Sequence, residues 1–197
     1  MRRPAVILSL VVLLVAGVWP AQAEPSLWTI EEESRVGFEV RQSGAPVEGW
    51  FDRFQGEIHF DPAMLPESRL WVEIETGSVN SQSSDRDSTI RSRDLFDVET
   101  WPTARFEADG FTHQGGDAYE AEGRLTLRDV TLDLVLPFTL KIEAHPEDAA
   151  AERAHAVGEV TLLRLDYGVG QGQWQDTSMV PDEVLVKIEI VARRPKP

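Results

Sequence analysis

Residues 83–106 read SSDRDSTIRSRDLFDVETWPTARF, and this stretch decides how the rest of the chain is understood. On both sides of it apolar and polar residues alternate, as they do in half-buried strands. Within it the alternation lapses for about two turns of helix. Ser84 is the predicted N-cap, with Asp87 three residues on as a short-armed capping box. Asp85 and Asp87 fall in the first turn and Arg91 and Arg93 at the end, the favourable order for the helix dipole. Asp87 and Arg91 are four apart and can pair on one face. Trp101-Pro102 then sends the chain back into a strand. A short charged helix between strands suits the end cap of an all-β barrel.

Outward from this stretch the period is two. Val36, Phe38 and Val40 alternate with charged residues, as do Phe54, Gly56, Ile58 and Phe60. The pattern continues through Leu70, Val72 and Ile74, then Ala104, Phe106 and Ala108. It resumes in Tyr119 to Leu127, in Leu132 to Ile142 and in Val184 to Ile190. Turns are marked by Asp61-Pro62, Gly115-Gly116-Asp117, Arg128-Asp129 and His145-Pro146-Glu147-Asp148. Strands at regular spacing with short turns predict an antiparallel meander, and closure of eight of them removes the exposed edges. The expectation is a closed eight-stranded antiparallel β-barrel with one short helix. On the predicted inward register, Gly56, Gly123, Gly158, Ala104, Ala108 and Ala121 share a face with bulky residues. Small residues there either fit the taper of a filled core or leave a cavity for an elongated ligand.

Arg86-Asp87, Ile90-Arg91-Ser92, Asp94, Phe96, Pro102 and Phe106 resemble the signature of the YceI-like family of polyisoprenoid-binding proteins. Gly123-Arg-Leu-Thr-Leu-Arg-Asp-Val-Thr131 is similar to that family's hairpin, and Gly49-Trp-Phe-Asp-Arg-Phe-Gln-Gly56 to one of its strands. The three matches come in order and span most of the chain after residue 26; Thr89, Arg93 and Asp129 depart from the pattern. The resemblance implies a lipocalin-like barrel and tips the interior towards an apolar cavity. Phe38, Phe54, Ile58, Val72, Ile74, Phe106, Leu125 and Phe138 would then face a tunnel, with Trp174 folding over its mouth. The segments 42–49 and 168–176 look most like members associated with cytochrome b561, which implies a membrane cytochrome as a partner. A homodimer is left open.

Met1-Arg2-Arg3, an apolar run from Ala5 to Trp19 and Ala21-Gln22-Ala23 together predict a secretory signal peptide over 1–23, cleaved after Ala23. The alternative, a membrane anchor, is disfavoured because a span needs about 20 apolar residues. The expectation is thus a periplasmic or secreted protein with one domain over 24–197. Removing Arg2 and Arg3 leaves 17 basic against 34 acidic residues, a net charge of −17. Such a surface repels nucleic acid and anionic membrane. With no cysteine, thiol catalysis and zinc–thiolate sites are excluded.

Catalytic chemistry is not legible. His59, His113, His145 and His155 lack ligand spacing and read as surface residues, and there is no nucleophile elbow. Gly168-Val-Gly170-Gln-Gly172 lacks the dinucleotide spacing. Asp85 and Asp87 sit beside arginines that would keep them ionised. No cofactor or metal is expected. Arg86, Arg91 and Arg93 have two readings. They tie the helix to the barrel rim through Asp87, Asp94 and Asp97, or they clamp an anionic head group bidentately. Three functions are weighed: an exported carrier of a long apolar lipid (polyisoprenoid, quinone or fatty acyl type), a filled interaction module partnering a membrane cytochrome, and a hydrolase. The first is favoured, and the third has no candidate residues.

Overall fold

The structure, a computed structural model, describes residues 24–196. The expected signal peptide lies outside the described residues. Eleven strands follow in order: β1 (Leu27–Ile30), β2 (Arg35–Gln42), β3 (Ala45–Phe51), β4 (Phe54–His59), β5 (Arg69–Glu75), β6 (Val79–Asn80), β7 (Thr103–Gly115), β8 (Ala118–Leu127), β9 (Val130–Ala144), β10 (Ala151–Leu163) and β11 (Glu183–Pro195). The helix α1 (Ser84–Arg91) lies between β6 and β7.

These strands make eight antiparallel ribbons. β1 and β2 are two halves of one ribbon, since β11 pairs with both, through Thr29↔Arg193 and through Val186↔Phe38. β3 and β4 form the second, pairing with β2 and β1 in turn. β5 and β6 form the third, pairing with β4 and β3. From β7 to β11 each ribbon is unbroken, and β11 closes the ring on the first. Every ribbon pairs with its sequence neighbour, so this is the closed eight-stranded antiparallel barrel that the alternation predicts. Closure of the ring leaves only short unpaired stretches, such as β6, which pairs with β3 alone.

The three breaks are held by polar side chains. Ser34 Oγ donates to the Val191 carbonyl and accepts from the Val191 N–H, both at 2.9 Å, where the first ribbon is interrupted. Ser78 Oγ accepts from the Arg53 N–H at 3.1 Å at the second break. Thr76 Oγ1 donates towards the Trp101 and Pro102 carbonyls at the third. These side chains are buried and bonded, as buried hydroxyls must be. They let the ribbons bend while their backbone groups stay satisfied.

α1 has the expected bounds but a different cap. Ser83, not Ser84, is the N-cap, in an extended conformation and accepting from the Arg86 N–H. Asp87 turns back to Ser81, accepting from its N–H at 2.8 Å and its hydroxyl. It therefore does not pair with Arg91, because the chain before the helix offers it two donors in a buried place. Among the β7–β10 connections, the turn at Arg128-Asp129 places Arg128 at φ 57°, the left-handed region that glycine usually fills.

The end of the barrel away from α1 is plugged by rings. Phe60 meets Phe111 edge-on at 5.3 Å and Tyr119 at 5.9 Å, and Tyr119 stacks on Phe138 at 5.6 Å. Trp28 Nε1 donates to the Phe60 carbonyl at 2.8 Å, and the Arg194 guanidinium covers the Trp28 ring at 4.5 Å. Arg194 is itself paired with Glu152 and Asp61. This end is closed by aromatic packing backed by an ion-paired cation.

Candidate functional site

The inward register of the ribbons defines the site. Two cavities lie end to end inside the barrel. The plug-end cavity is about 160 Å³ and is lined by apolar residues, including Ile58, Val72, Phe106, Phe138 and Ala156. The helix-end cavity is about 210 Å³. Val36, Ile74, Leu125, Leu162 and Val186 line both and form the waist between them. A void that holds one water needs roughly 10–15 Å³ by this measure. A close-packed core has few voids above that size, so this interior is hollow.

The helix-end cavity differs in kind. Its walls include Phe38, Phe51, Ile90, Phe96 and Trp174, but also Gln42, Thr76, Arg86, Thr89 and Arg164. Its roof comes from α1, the following segment and the loop between β10 and β11. Arg128 joins them, donating to the carbonyls of Leu95 at 2.6 Å and Gly168 at 2.8 Å while stacking on Trp101 at 4.4 Å. The Gln171 N–H donates to the Asp94 carbonyl at 2.7 Å. Trp174 lies half-buried in a 3-10 turn, Gly172–Gln175, against the cavity.

Of the residues expected to face a tunnel, Ile58, Val72, Phe106 and Phe138 line the plug-end cavity. Phe38 and Trp174 line the other, and Ile74 and Leu125 line both. Phe54 lines neither. It follows the break at Asp52-Arg53, pairs across the sheet with Ile74, and packs half-buried against the core cluster and beside a groove at the break. The small residues also need correction. A Cβ on Gly123 would lie 2.2 Å from the Glu107 carbonyl oxygen, and one on Gly56 would lie 2.5 Å from that of Trp71. These glycines let neighbouring ribbons approach closely and coil; they do not leave room for a ligand. Of the other expected small residues, Ala121 and Gly158 line the plug-end cavity and Ala104 the helix-end one, while Ala108 lines neither; Ala154 and Ala156 add to the plug-end wall.

The arginines divide between the two expectations. Arg91 lines neither cavity and donates to the carbonyls of Gly77 at 2.8 Å and Val79 at 2.7 Å. Arg93 is exposed and lines neither cavity. Arg86 lines the helix-end cavity and donates to the Ser81 hydroxyl and carbonyl. α1 is thus tied down through backbone carbonyls of the third ribbon, with no ion pair to Asp87, Asp94 or Asp97 among the described residues. The acceptors belong to a ribbon break that the sequence does not reveal.

Arg164 was missed, although a signal for it exists. Gly158, Val160 and Leu162 are inward residues of β10, and the next position on that register is Arg164. It is 6% exposed. Burial pushes its guanidinium below the usual arginine range, and the nearby Asp182 partly offsets this. Outside the barrel, His59 and His145 are half-buried, not fully exposed, and lie beside Glu57 and Glu31. The hydrogen bond from His59 holds the Glu57 carboxyl below its usual range. No cluster of metal-ligating residues occurs among the described residues.

A closed, hollow, apolar antiparallel barrel with one plugged end and one roofed end is a lipocalin-like barrel. The YceI-like domain matches residues 28–192, and the chain belongs to that family. It is 31% identical over 135 residues to a UPF0312 protein of Vibrio cholerae, covering 68% of this chain and 71% of that one. Among solved structures it is similar to BcnA of Burkholderia cenocepacia, with a TM-score of 0.73 and 27% identity, covering 83% of this chain and 99% of that one. A polyisoprenoid-binding domain from Saccharophagus degradans shares the fold, with a TM-score of 0.65 and 14% identity, covering 87% of this chain and 99% of the other.

Proposed function

We propose that this protein is an exported binder or carrier of a long apolar lipid held along the barrel axis. The observation that carries the reading is the pair of apolar cavities meeting at a shared waist. Ligand sites of this kind are concave and mostly apolar, with a few polar groups fixing orientation. The polyisoprenoid-binding relative of the same fold supports a chain of isoprenoid type, and a quinone side chain or a fatty acyl chain meets the same chemistry. The cavity walls supply van der Waals contact and exclusion of water, and no group in them is arranged for acid–base or nucleophilic work. On this reading the protein acts by binding its ligand.

Export rests on the apolar run and small-residue site at 1–23, and the N-terminal sequence of the native protein, beginning at Glu24, would check it. A membrane cytochrome partner and a homodimer would add to the carrier role. Co-purification and sedimentation test them. The binding role is tested by native mass spectrometry and lipid extraction of protein purified from its own cells. Mass in excess of the polypeptide, recovered as an extractable lipid, is expected. A bare polypeptide mass, together with no uptake of added polyprenols, fatty acids or quinones, would overturn it.

A further inference from the structure

The two cavities differ in charge, and this difference orients the ligand. Arg164 and Arg86 both line the helix-end cavity, while the plug-end cavity has no charged wall. A guanidinium has five N–H donors. Arg164 gives three of them to neutral carbonyls: Nε to Pro181, Nη1 to Val169 and Nη2 to Val180, each at 2.9 Å. Among the described residues no carboxylate lies within ion-pair distance of it. Asp182, the nearest acidic influence, receives the Leu165 N–H. Arg86 reaches Asp87 only through the hydroxyl of Ser81. Gly170, at φ 133°, takes a backbone conformation that favours glycine and brings the loop directly against Arg164 Nη1. The loop is therefore built around a positive charge that is enclosed, mostly desolvated and short of a counter-charge. Such a charge is costly unless an anion joins it.

We propose that the helix-end cavity is the head-group end of the lipid site and that Arg164, assisted by Arg86, selects a lipid ending in an oxyanion, a phosphate or a carboxylate. The chain would then run through the waist towards the aromatic plug. This rests on the lipid-binding reading and adds the polarity and the head-group class. The whole chain carries a net charge of −15, so its outer field repels anions. A preference for an anionic lipid must then come from local groups. Because these are buried, added salt screens them weakly.

The test compares farnesyl monophosphate, farnesol and inorganic phosphate as probes for the delipidated full protein, by calorimetry or fluorescence displacement at low and at 0.5 M salt. The expected result is that farnesyl monophosphate binds at least about tenfold more tightly than farnesol at both salt concentrations, the yield of one charge-assisted hydrogen-bonded contact. Inorganic phosphate alone should bind far more weakly than either. Arg164→Gln should remove the preference while farnesol still binds. Because that change also frees the loop, Arg86→Gln is the second variant and should lessen the preference in a barrel of unchanged circular dichroism. Equal affinity for the two farnesyl probes in the unmutated protein would overturn the head-group assignment and leave lipid binding intact. Failure of both probes, along with neutral and acyl lipids, would instead sink the lipid-binding reading. Inorganic phosphate binding as tightly as farnesyl monophosphate would overturn the assignment as a lipid site.

Discussion

The two ends of the barrel are closed by different physics. At the plug end, Phe60, Phe111, Tyr119 and Phe138 pack ring against ring beneath Trp28. Closure there comes from buried aromatic area. At the helix end the inward register turns polar, through Gln42, Thr76 and Arg164, and closure comes from hydrogen bonds between side chains and loop carbonyls. Apolar packing specifies a fixed wall. The roof on loops combines such packing, through Leu95, Tyr167 and Val169, with hydrogen bonds from side chains to exposed connections, and exposed connections are where local opening costs least. The comparison separates an end closed by apolar packing from an end closed by hydrogen-bonded loops, and on the proposed function the second is the end a ligand would enter.

The largest expected effects fall where ribbons or rings touch. Gly123→Leu should destabilise the barrel severely, at or beyond the top of the roughly 1–3 kcal/mol typical of overpacking, because its Cβ would meet backbone of β7. Phe60→Ala should cost about 3–5 kcal/mol by removing the centre of the plug. Urea unfolding reads both, and a small loss at Phe60 would dissolve the distinction between the ends.

Arg91→Met should have a middling effect. It removes two hydrogen bonds from a charged donor to the carbonyls of Gly77 and Val79, each worth about 1.5–3 kcal/mol at most because the site is half-exposed. Lipid affinity should be unchanged, since Arg91 lines neither cavity. A selective loss of phosphorylated-lipid binding with normal stability would restore it as a head-group residue.

How much of this was legible in the sequence follows from the range of the interactions. The ribbons β7, β8, β9 and β11, the helix bounds and the turns at Gly116-Asp117 and Arg128-Asp129 rest on local periodicity and turn chemistry, and the sequence shows them; β10 is marked only by Gly158 on the inward face. The three breaks rest on partners far along the chain, such as Ser34 with Val191, and no local pattern announces them. That gap misdirected the arginines, whose acceptors lie at the third break. The glycines misled for another reason. Period two correctly assigns them to the inward register, but only the neighbouring ribbon shows whether the missing side chain makes space or permits contact. Arg164 was readable as a charge on an inward register and was hidden by the apolar residues around it.

The smallest effect should come from the outer surface. Arg53 hydrogen-bonds Glu75 and holds its carboxyl below the usual range. A depressed carboxylate contributes stability above its unfolded pKa and loses that contribution as pH falls through the depressed value. Both groups are exposed, so Arg53→Met should leave the melting temperature at pH 7 nearly unchanged and flatten only a shallow acid-side dependence. A series of melts from pH 7 to pH 3 reads it.

The central claim is that the interior is hollow so that it can hold a lipid chain, and Ala156→Leu tests it most directly. Ala156 lies on the plug-end cavity wall, and its partners across the sheet are Leu140 and Ile190. Binding of a fluorescent apolar probe and the melting temperature should be measured on the same delipidated samples. The account predicts an unchanged or slightly raised melting temperature with probe affinity reduced at least about tenfold, since the added methyls occupy space the chain would use. A melting temperature lowered as in an overpacked core, with probe affinity unaltered, would contradict it.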